Sequence, residues 1–245
     1  MQLDVHFLPV TLTEENLHGS VAIMVDLLRA STTMTTALAA GAKTIIPCET
    51  IEQAREAASA YPPGTVVLGG ERGGVRIEGF DFGNSPADYI SATVGGKTVV
   101  FTTTNGTKAL VKAQAAERTV VGAFVNLAAV SQFAVEQGRS IHIVCAGTNG
   151  QVTREDVLCA GAIANACQES YNTAGQEIER TDAAHIAIDC YRMVADNLHD
   201  AVCESIGGRN LRRLSFGADI RLACEIDRIP IVPEYHPNTG QMSVV

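Results

Sequence analysis

Residues 21–47 read VAIMVDLLRASTTMTTALAAGAKTIIP, and this stretch predicts a strand, a helix and a second strand. The apolar run 21–25 is typical of a strand that is buried on both faces. The Ala- and Thr-rich run 32–40 predicts a helix that Gly41 ends, and 43–47 predicts the next strand. This order is typical of a largely parallel sheet with helices on both faces.

The same alternation continues along most of the chain. It predicts helices over 51–60, 106–116, 127–137 and 155–170, and strands over 65–68, 97–102, 118–122 and 141–145. Farther on, we predict a long helix over 182–204 that Gly207-Gly208 ends, a helix over 221–226, a short strand over 229–232 and an irregular C-terminus. The chain is therefore predicted to form one layered α/β/α domain over residues 1–245, with a largely parallel or mixed sheet.

Two stretches of the chain resemble each other. The segments after the strands 21–25 and 97–102 both read hydroxyl-rich turn, helix with an Ala-Leu pair, and strand. The resemblance suggests duplicated β–α–β units in two halves, about 1–95 and 96–245, although a generic α/β rhythm could produce the same pattern.

Composition and charge exclude several classes of partner. The 245 residues include 18 Lys and Arg against 27 Asp and Glu, a formal net charge of −9 that gives no general attraction for nucleic acid or anionic lipid. No apolar run approaches the roughly 18 residues that a membrane span needs. The N-terminal residues lack a signal-peptide pattern, and the seven cysteines form no C-x-x-C pair. We therefore expect reduced, buried thiols in a cytoplasmic protein.

Hydroxyl-rich turns follow three of the predicted strands. Ser31-Thr32, Thr104-Asn105-Gly106-Thr107 and Thr148-Asn149 each stand before a predicted helix. Ligands of open parallel sheets bind beyond the carboxyl ends of the strands, where helix N-termini offer free N–H groups to anions. Each turn alone could be a helix cap. Together, and near Arg29 and Arg72, they predict an anion site.

Carboxylates stand beside these turns. Asp26 directly follows the first strand, Glu71 and Asp81 lie in a Gly-rich loop, and Glu155-Asp156 begins a helix. Carboxylates that converge with phosphate-binding groups usually need a cation between them, and Mg²⁺ takes one or two carboxylates together with waters and phosphate oxygens. For the Glu155-Asp156 pair, stabilisation of a helix N-terminus explains the residues equally well.

Familiar phosphate-site and metal motifs fit poorly. Gly96-Lys97-Thr98 ends like a Walker A loop, but it lacks the first glycine and precedes a strand. No second aspartate follows Asp26 in the manner of aspartyl-phosphate enzymes. The spacing from Cys203 to Arg209 fits a cysteine phosphatase, but this cysteine follows a helical pattern and precedes an acidic residue. No H-E-x-x-H spacing occurs, and we expect His142, within a strand, to be structural.

Several blocks occur in the order found in 2-phosphosulfolactate phosphatases, and the chain resembles that family over nearly its whole length. The blocks are 25–33 (VDLLRASTT), 69–74 (GGERGG), 79–86 (GFDFGNSP), 102–107 (TTTNGT) and 145–150 (CAGTNG) with Glu155-Asp156. The resemblance implies an α/β fold particular to the family. It also implies a Mg²⁺-dependent phosphatase that converts 2-phosphosulfolactate to sulfolactate and phosphate, a step towards coenzyme M.

We combine these observations into a predicted site. Asp26, Arg29, Glu71 and Arg72 are predicted to be catalytic, and Asp26, Glu71, Asp81 and Asp156 to hold Mg²⁺, with Glu155 as an alternative. Residues predicted to bind the substrate are Ser31, Thr32, Asn84, Thr104, Asn105, Gly106, Thr107, Thr148 and Asn149. Since no nucleophile motif fits, we favour direct attack by water over a phosphoenzyme.

Alternative functions stay open at this point. The same turns could belong to a non-catalytic protein that binds a phosphorylated metabolite, to a phosphatase of another small organic acid phosphate, or to a phosphate transferase. In each case we expect a small anionic ligand, no nucleic acid or membrane partner, and a homo-oligomer, with a dimer as the default.

Overall fold

The computed structural model describes all 245 residues. Eleven strands follow one another along the chain: β1 Gln2–His6, β2 Val21–Val25, β3 Thr44–Pro47, β4 Val66–Arg72, β5 Val75–Arg76, β6 Thr98–Thr102, β7 Arg118–Val121, β8 Ile141–Cys145, β9 Glu179–Arg180, β10 Pro233–His236 and β11 Gln241–Val244. Together they form a single sheet.

Eleven α-helices are interspersed with the strands. They are α1 Glu14–Leu17, α2 Ala30–Ala39, α3 Ile51–Ser59, α4 Ser91–Val94, α5 Gly106–Ala113, α6 Leu127–Glu136, α7 Arg154–Thr173, α8 Asp182–Arg192, α9 Leu198–Cys203, α10 Ile206–Arg213 and α11 Gly217–Ala223. None of them is both long enough and apolar enough to cross a membrane.

The sheet contains two parallel blocks that are joined by an antiparallel hairpin. Its order is β5-β4-β6-β3-β11-β10-β7-β2-β8-β1-β9, and strands from residues 1–95 are interleaved in it with strands from 96–245. Strands β4, β6 and β3 are parallel, as are β7, β2, β8, β1 and β9. The hairpin β10-β11 lies between the two blocks. The layered α/β prediction is confirmed, whereas a duplication of the two halves stays a prediction.

Both faces of the sheet are covered by helices. Strand β2 shows this most clearly, because all five of its residues are buried. Ile23 packs into a large core with helices α6, α7 and α8, whereas Met24 packs on the other face with α2 and α5. Neighbouring side chains of a strand point to opposite faces, so a continuous apolar run requires a helix layer on each side.

The C-terminal part of the chain differs from the prediction. The predicted strand 229–232 and irregular terminus are replaced by the hairpin β10-β11, in which Tyr235 and Met242 are buried. The turn between its short strands is closed by hydrogen bonds from residues 239 and 240 to the carbonyl of His236. These strands are only four residues long, so their periodicity is too brief to identify them by sequence alone.

The predicted helix 182–204 is divided into α8 and α9 by a 3-10 turn at Ala195–Asn197. Both helices pack against α7, and the turn between them allows α8 and α9 each to direct an apolar face towards α7. Gly207 and Gly208 do not end a helix, since they lie in the first turn of α10. The Ser205 hydroxyl accepts a hydrogen bond from the Gly208 amide at 3.0 Å and thereby caps that new helix.

Candidate active site

A cavity of about 460 Å³ lies beyond the carboxyl ends of the parallel strands. Asp26 directly follows β2, Glu71 lies near the end of β4, Thr104 follows β6 and Gly147 follows β8. The wall is completed by the N-terminal part of α7 and by helix α10. The lining residues are Asp26, Leu28, Arg29, Glu71, Gly73, Gly74, Asn84, Thr104, Asn105, Gly147, Thr148, Asn149, Glu155, Asp156, Ile206, Gly207, Asn210, Leu211 and Arg213.

Most of the predicted site residues meet at this cavity. Those that line it are Asp26, Arg29, Glu71, Asn84, Thr104, Asn105, Thr148, Asn149, Asp156 and the alternative Glu155. The predicted residues that do not line it are Ser31, Thr32, Arg72, Asp81, Gly106 and Thr107. The prediction therefore identified the strand ends that meet at the cavity. It also included side chains that hydrogen-bond within their own turns instead of lining the cavity.

The hydroxyls of Ser31, Thr32 and Thr107 are used within their own turns. The Thr32 hydroxyl donates to the Leu27 carbonyl at 2.8 Å, and the Ser31 hydroxyl accepts from the Asp26 amide at 2.8 Å. The Thr107 hydroxyl donates to the Thr103 carbonyl at 3.1 Å. These three side chains are fully buried, and they stabilise the starts of α2 and α5 as caps and turns do.

Arg72 and Asp81 are directed away from the cavity. The Arg72 guanidinium donates to the Glu71 carbonyl and to the Thr102 hydroxyl, so it supports the end of β4 from behind. Asp81 is exposed, and its Oδ2 accepts a hydrogen bond from the Leu68 amide at 2.8 Å. Of the two predicted metal ligands in the Gly-rich stretch, only Glu71 reaches the site.

Glu71 and Asp156 join the loops around the cavity. Glu71 accepts hydrogen bonds from the amides of Gly74 at 2.6 Å and Thr104 at 2.9 Å, one at each carboxylate oxygen. Asp156 accepts from the Leu27 amide at 2.9 Å through Oδ1, and from the Gly147 amide at 3.0 Å through Oδ2. Both carboxylates therefore use their oxygens to fix distant turns relative to one another.

Asp26 and Glu155 each have one carboxylate oxygen that accepts no hydrogen bond. Asp26 accepts through Oδ1 from the Ala30 amide at 3.3 Å, whereas its Oδ2 makes no hydrogen bond. Glu155 accepts through Oε1 from the Gly207 amide at 3.0 Å, and its Oε2 is buried without a partner. Burial, with the nearby Glu71 and Glu155 charges, raises the pKa of Asp26 to about 7. Burial also raises the pKa of Glu155.

Close backbone approach to these carboxylates depends on glycine. A Cβ added at Gly106 would stand 2.7 Å from Asp26 Oδ2, and one at Gly207 would stand 2.1 Å from Glu155 Oε1. Since neither carboxylate could keep its place beside such a group, the two glycines allow helices α5 and α10 to begin directly against the cavity. Gly106 is thus a packing residue of the site.

Buried polar atoms without partners concentrate at this cavity. Five such side-chain atoms occur in the whole chain, and three of them belong to lining residues: Asn84 Oδ1, Thr104 Oγ1 and Glu155 Oε2. A buried polar atom without a hydrogen bond is costly, by about 1–3 kcal/mol, unless a ligand or water satisfies it. The cavity is therefore polar and ready to bind a polar ligand.

Arg29 brings positive charge to the acidic cavity. Its guanidinium donates to Asp219 Oδ2 at 2.7 Å and to the Gly74 carbonyl at 3.0 Å, and it lies 4.4 Å from the centre of the Phe216 ring. Only 3% of the residue is exposed. This arrangement fixes the guanidinium plane at the cavity wall.

The sequence interpretation missed helix α10. Asn210 and Arg213 both line the cavity from this helix, and Arg213 Nη2 donates to Asn210 Oδ1 at 2.8 Å. The two residues are three apart and so lie on one helix face. The sequence feature that could have indicated this part of the site is the cluster of arginines at 209, 212 and 213, which is unusual in a chain of net charge −9.

The structure contains one tight cluster of potential metal ligands, and it lies outside the cavity. The ligand atoms of Asp4, His6 and His142 are all within 4.8 Å of one another, which no other group of three acidic, His or Cys side chains achieves. His142, predicted to be structural, is thus part of a candidate metal site. In the cavity, the free oxygens of Asp26 and Glu155 fit Mg²⁺, which takes one or two carboxylates and fills its other positions with water and phosphate.

Comparison with known proteins identifies the family. The family model of 2-phosphosulpholactate phosphatase matches residues 7–238. A protein of Caldicellulosiruptor saccharolyticus named probable 2-phosphosulfolactate phosphatase is 38% identical over 228 residues, with 91% of this chain and 92% of the relative covered. Relatives with the same name in Caldanaerobacter subterraneus and Symbiobacterium thermophilum are 35% and 37% identical, with 91% and 90% of this chain and 91% and 93% of the relatives covered. The chain therefore belongs to the 2-phosphosulfolactate phosphatase family of phosphoric monoester hydrolases.

Proposed function

We propose that this enzyme hydrolyses 2-phosphosulfolactate to sulfolactate and inorganic phosphate, with Mg²⁺ as cofactor, in a step towards coenzyme M. The names of the relatives, probable 2-phosphosulfolactate phosphatases, support the substrate. The three unpartnered polar atoms of Asn84, Thr104 and Glu155 in one cavity support a small, highly polar ligand there, and this observation carries the proposal. The seven free cysteines support a reducing, cytoplasmic setting.

Asp26 and Glu155 are the residues that would hold Mg²⁺. Their Oδ2 and Oε2 atoms accept no hydrogen bond, whereas the oxygens of Glu71 and Asp156 already bind backbone amides. Bound Mg²⁺ would polarise the phosphoryl group and offset its charge. This assignment replaces Asp81 by Glu155 and leaves Glu71 and Asp156 as positioning residues.

The other lining residues bind and orient the substrate in this proposal. The Thr104 hydroxyl donates to a phosphate oxygen and Asn84 Oδ1 accepts from bound water, while the fixed Arg29 guanidinium stabilises negative charge that develops on the phosphate. Arg213, at the cavity rim, contacts the second acid group of the substrate. We favour direct attack of water on phosphorus over a thiol nucleophile, because none of the seven cysteines lines the cavity.

Phosphate release from a panel of substrates tests this proposal. The panel contains 2-phosphosulfolactate, phosphorylated hydroxy acids without a sulfonate, and a phosphate ester without any acid group. Each is assayed with Mg²⁺ and with EDTA, and Asp26→Asn is assayed in parallel. We expect the highest kcat/KM for 2-phosphosulfolactate, with loss of turnover in EDTA and in the variant. Undiminished turnover in EDTA would contradict the cofactor, and preference for another acid phosphate would reassign the substrate.

The chemical route is tested by a single turnover in ¹⁸O-labelled water with excess enzyme. Direct attack and hydrolysis of a phosphoenzyme both place one labelled oxygen in the phosphate, so the distinguishing observation is that direct attack leaves no phosphate on the protein at any time. A phosphoenzyme trapped by acid quench would refute the direct route.

A further inference from the structure

A second polar cluster lies on the sheet away from the cavity. Asp4 and His6 of β1 lie on one face, because they are two residues apart, and β1 pairs in parallel with β8 so that Asp4 is opposite His142. His6 and His142 are 9% and 5% exposed, whereas Asp4 retains partial exposure. None of the three residues lines the cavity, and the proposed hydrolysis does not use them.

The distances within this cluster fit a tetrahedral metal ion. His6 Nε2 lies 3.0 Å from His142 Nδ1 and 3.3 Å from Asp4 Oδ2. With metal–ligand distances of about 2.0–2.1 Å, the ligand atoms of a tetrahedral site are separated by about 3.3 Å. The Asp4 and His142 ligand atoms also lie within 4.8 Å of each other, so the three atoms are close enough to share a single ion.

Neighbouring hydrogen bonds orient two of the ligands. The Thr11 hydroxyl donates to the Leu8 carbonyl at 2.9 Å, so it is an acceptor for His6 Nδ1–H at 3.4 Å. That arrangement leaves the lone pair of His6 on Nε2, directed towards the cluster. Asp4 Oδ1 accepts from the Thr181 hydroxyl at 2.6 Å and from the Val5 amide at 2.8 Å, which leaves Oδ2 for a ligand. Such outer hydrogen bonds are typical of metal sites.

Without a cation, His142 Nδ1–H donates to the His6 Nε2 lone pair at 3.0 Å, and an ion bound here replaces that hydrogen bond. With the Nδ1 proton of His6 facing Thr11, its Nε2 lone pair and the Asp4 carboxylate face each other across 3.3 Å. Both imidazoles are buried, with 9% and 5% of the residues exposed. Neutral imidazoles are the form that binds metals.

We propose that Asp4, His6 and His142 bind a divalent transition metal, most readily Zn²⁺, at a site separate from the hydrolytic cavity. Two imidazoles favour Zn²⁺ and similar ions over Mg²⁺, which prefers oxygen ligands. The ion connects β1 to β8, and through Asp4 and Thr181 it also contacts the start of α8, so its role is to stabilise this edge of the sheet. The partly exposed Asp4 provides the access path, and water completes the coordination.

Titration of the metal-free protein with Co²⁺ and Zn²⁺ tests the site. The full-length protein is stripped with EDTA, exchanged into EDTA-free buffer and titrated. We expect one equivalent of Co²⁺ to produce the strong visible absorption of tetrahedral cobalt without a sulfur charge-transfer band, and Zn²⁺ to displace it. Zn²⁺ should also raise the Tm of the protein. Absence of tetrahedral Co²⁺ in the wild type overturns the proposal.

Matched variants locate the ion. His142→Gln and Asp4→Asn should abolish the cobalt spectrum, and Asp4→Asn keeps an oxygen for Thr181 and Val5, so its fold is preserved. Thr11→Val should weaken metal binding by about 10–100-fold. His199→Ala, which removes an exposed imidazole 3.7 Å from the Cys203 sulfur, should leave the spectrum unchanged, as should Asp26→Asn. A spectrum that depends on Asp26 or His199 instead of His142 would place the ion elsewhere and overturn the proposal.

Discussion

The guanidinium of Arg29 and the carboxylate of Asp219 form a buried ion pair, 2.7 Å between Nη1 and Oδ2, across 190 positions of sequence. Both side chains are less than 5% exposed. The second oxygen of Asp219 accepts from the Ser85 hydroxyl at 2.8 Å, so the pair connects α11 to the loop that carries Asn84. This pair sets the orientation of the cationic wall of the cavity, and removing one partner leaves an uncompensated buried charge.

Arg29→Lys should reduce kcat/KM by about 10–150-fold, because a charge-assisted contact contributes about 1.5–3 kcal/mol. The planar guanidinium can bind Asp219, the Gly74 carbonyl and the phosphate at the same time, whereas the single ammonium group of lysine cannot. Steady-state kinetics measure the effect. Arg72→Lys is the matched control and should stay within about twofold, since that side chain does not reach the cavity. Equal losses in the two variants would contradict the distinction between these arginines.

Asp26→Asn should stabilise the metal-free enzyme while abolishing Mg²⁺-dependent turnover. The folded pKa of Asp26 is raised to about 7, so its stabilising contribution is complete in acid and is lost as pH rises through about 7. The asparagine side chain does not ionise, so the variant does not lose this stability as the pH rises. In EDTA we therefore expect the variant and the wild type to have similar Tm values at pH 4. At pH 8 the variant should have the higher Tm, by about 2–4 °C for each kcal/mol of difference in the free energy of unfolding. Thermal unfolding at both pH values checks this, and a lower Tm at pH 8 would contradict it.

The strands that position the site could be predicted because their signals are local. The run from Val21 to Val25 is apolar throughout, and the hydroxyl-rich turns follow the strands in sequence as they do in space. The sheet order could not be predicted in this way. The hairpin β10-β11 joins two parallel blocks through short strands, and its position depends on contacts such as Tyr235 with the distant core rather than on its own pattern.

The choice among candidate side chains also depended on the structure. Glu71 and Asp81 are ten residues apart in one Gly-rich stretch, yet only Glu71, which lies in β4, reaches the cavity, because Asp81 binds the Leu68 amide. Sequence alone gives residue types at strand ends but not the direction of each side chain in an irregular loop. Arg213 was missed for a related reason: Gly207-Gly208 was interpreted as a helix end, so the helix that carries Arg213 was not predicted.

Glu155→Gln should weaken activation by Mg²⁺ at least tenfold, because the amide retains an oxygen for the Gly207 amide but loses the charge that holds the cation. The Mg²⁺ concentration for half-maximal activity is the relevant measurement. Asp81→Asn is the control and should leave that concentration unchanged. If the Asp81 variant were impaired and the Glu155 variant normal, the ligand assignment would be reversed.

The Mg²⁺ requirement should increase in acid. Asp26 must lose its proton to bind the ion, and its pKa is raised to about 7 by burial and nearby carboxylates. Below that pH, protons compete with Mg²⁺, so the half-maximal concentration should rise by up to about tenfold for each pH unit. It should level off above about pH 8. Activity is measured across Mg²⁺ concentrations at pH values from about 5.5 to 8.5, a range of about three pH units that includes the pKa of Asp26. A half-maximal Mg²⁺ concentration that does not change with pH would exclude Asp26 as a titrating ligand.

Arg213→Ala should raise KM selectively for substrates that carry a second acid group. The side chain is exposed at the rim, so its contact contributes up to about 1 kcal/mol, which corresponds to about fivefold in KM with little change in kcat. A phosphate ester without an acid group should be hydrolysed equally well by the variant and the wild type. Arg212→Ala provides the comparison, because Arg212 belongs to the same helix but pairs with Glu204 outside the cavity. A uniform rise in KM for all substrates would indicate instead that Arg213 contacts the phosphate.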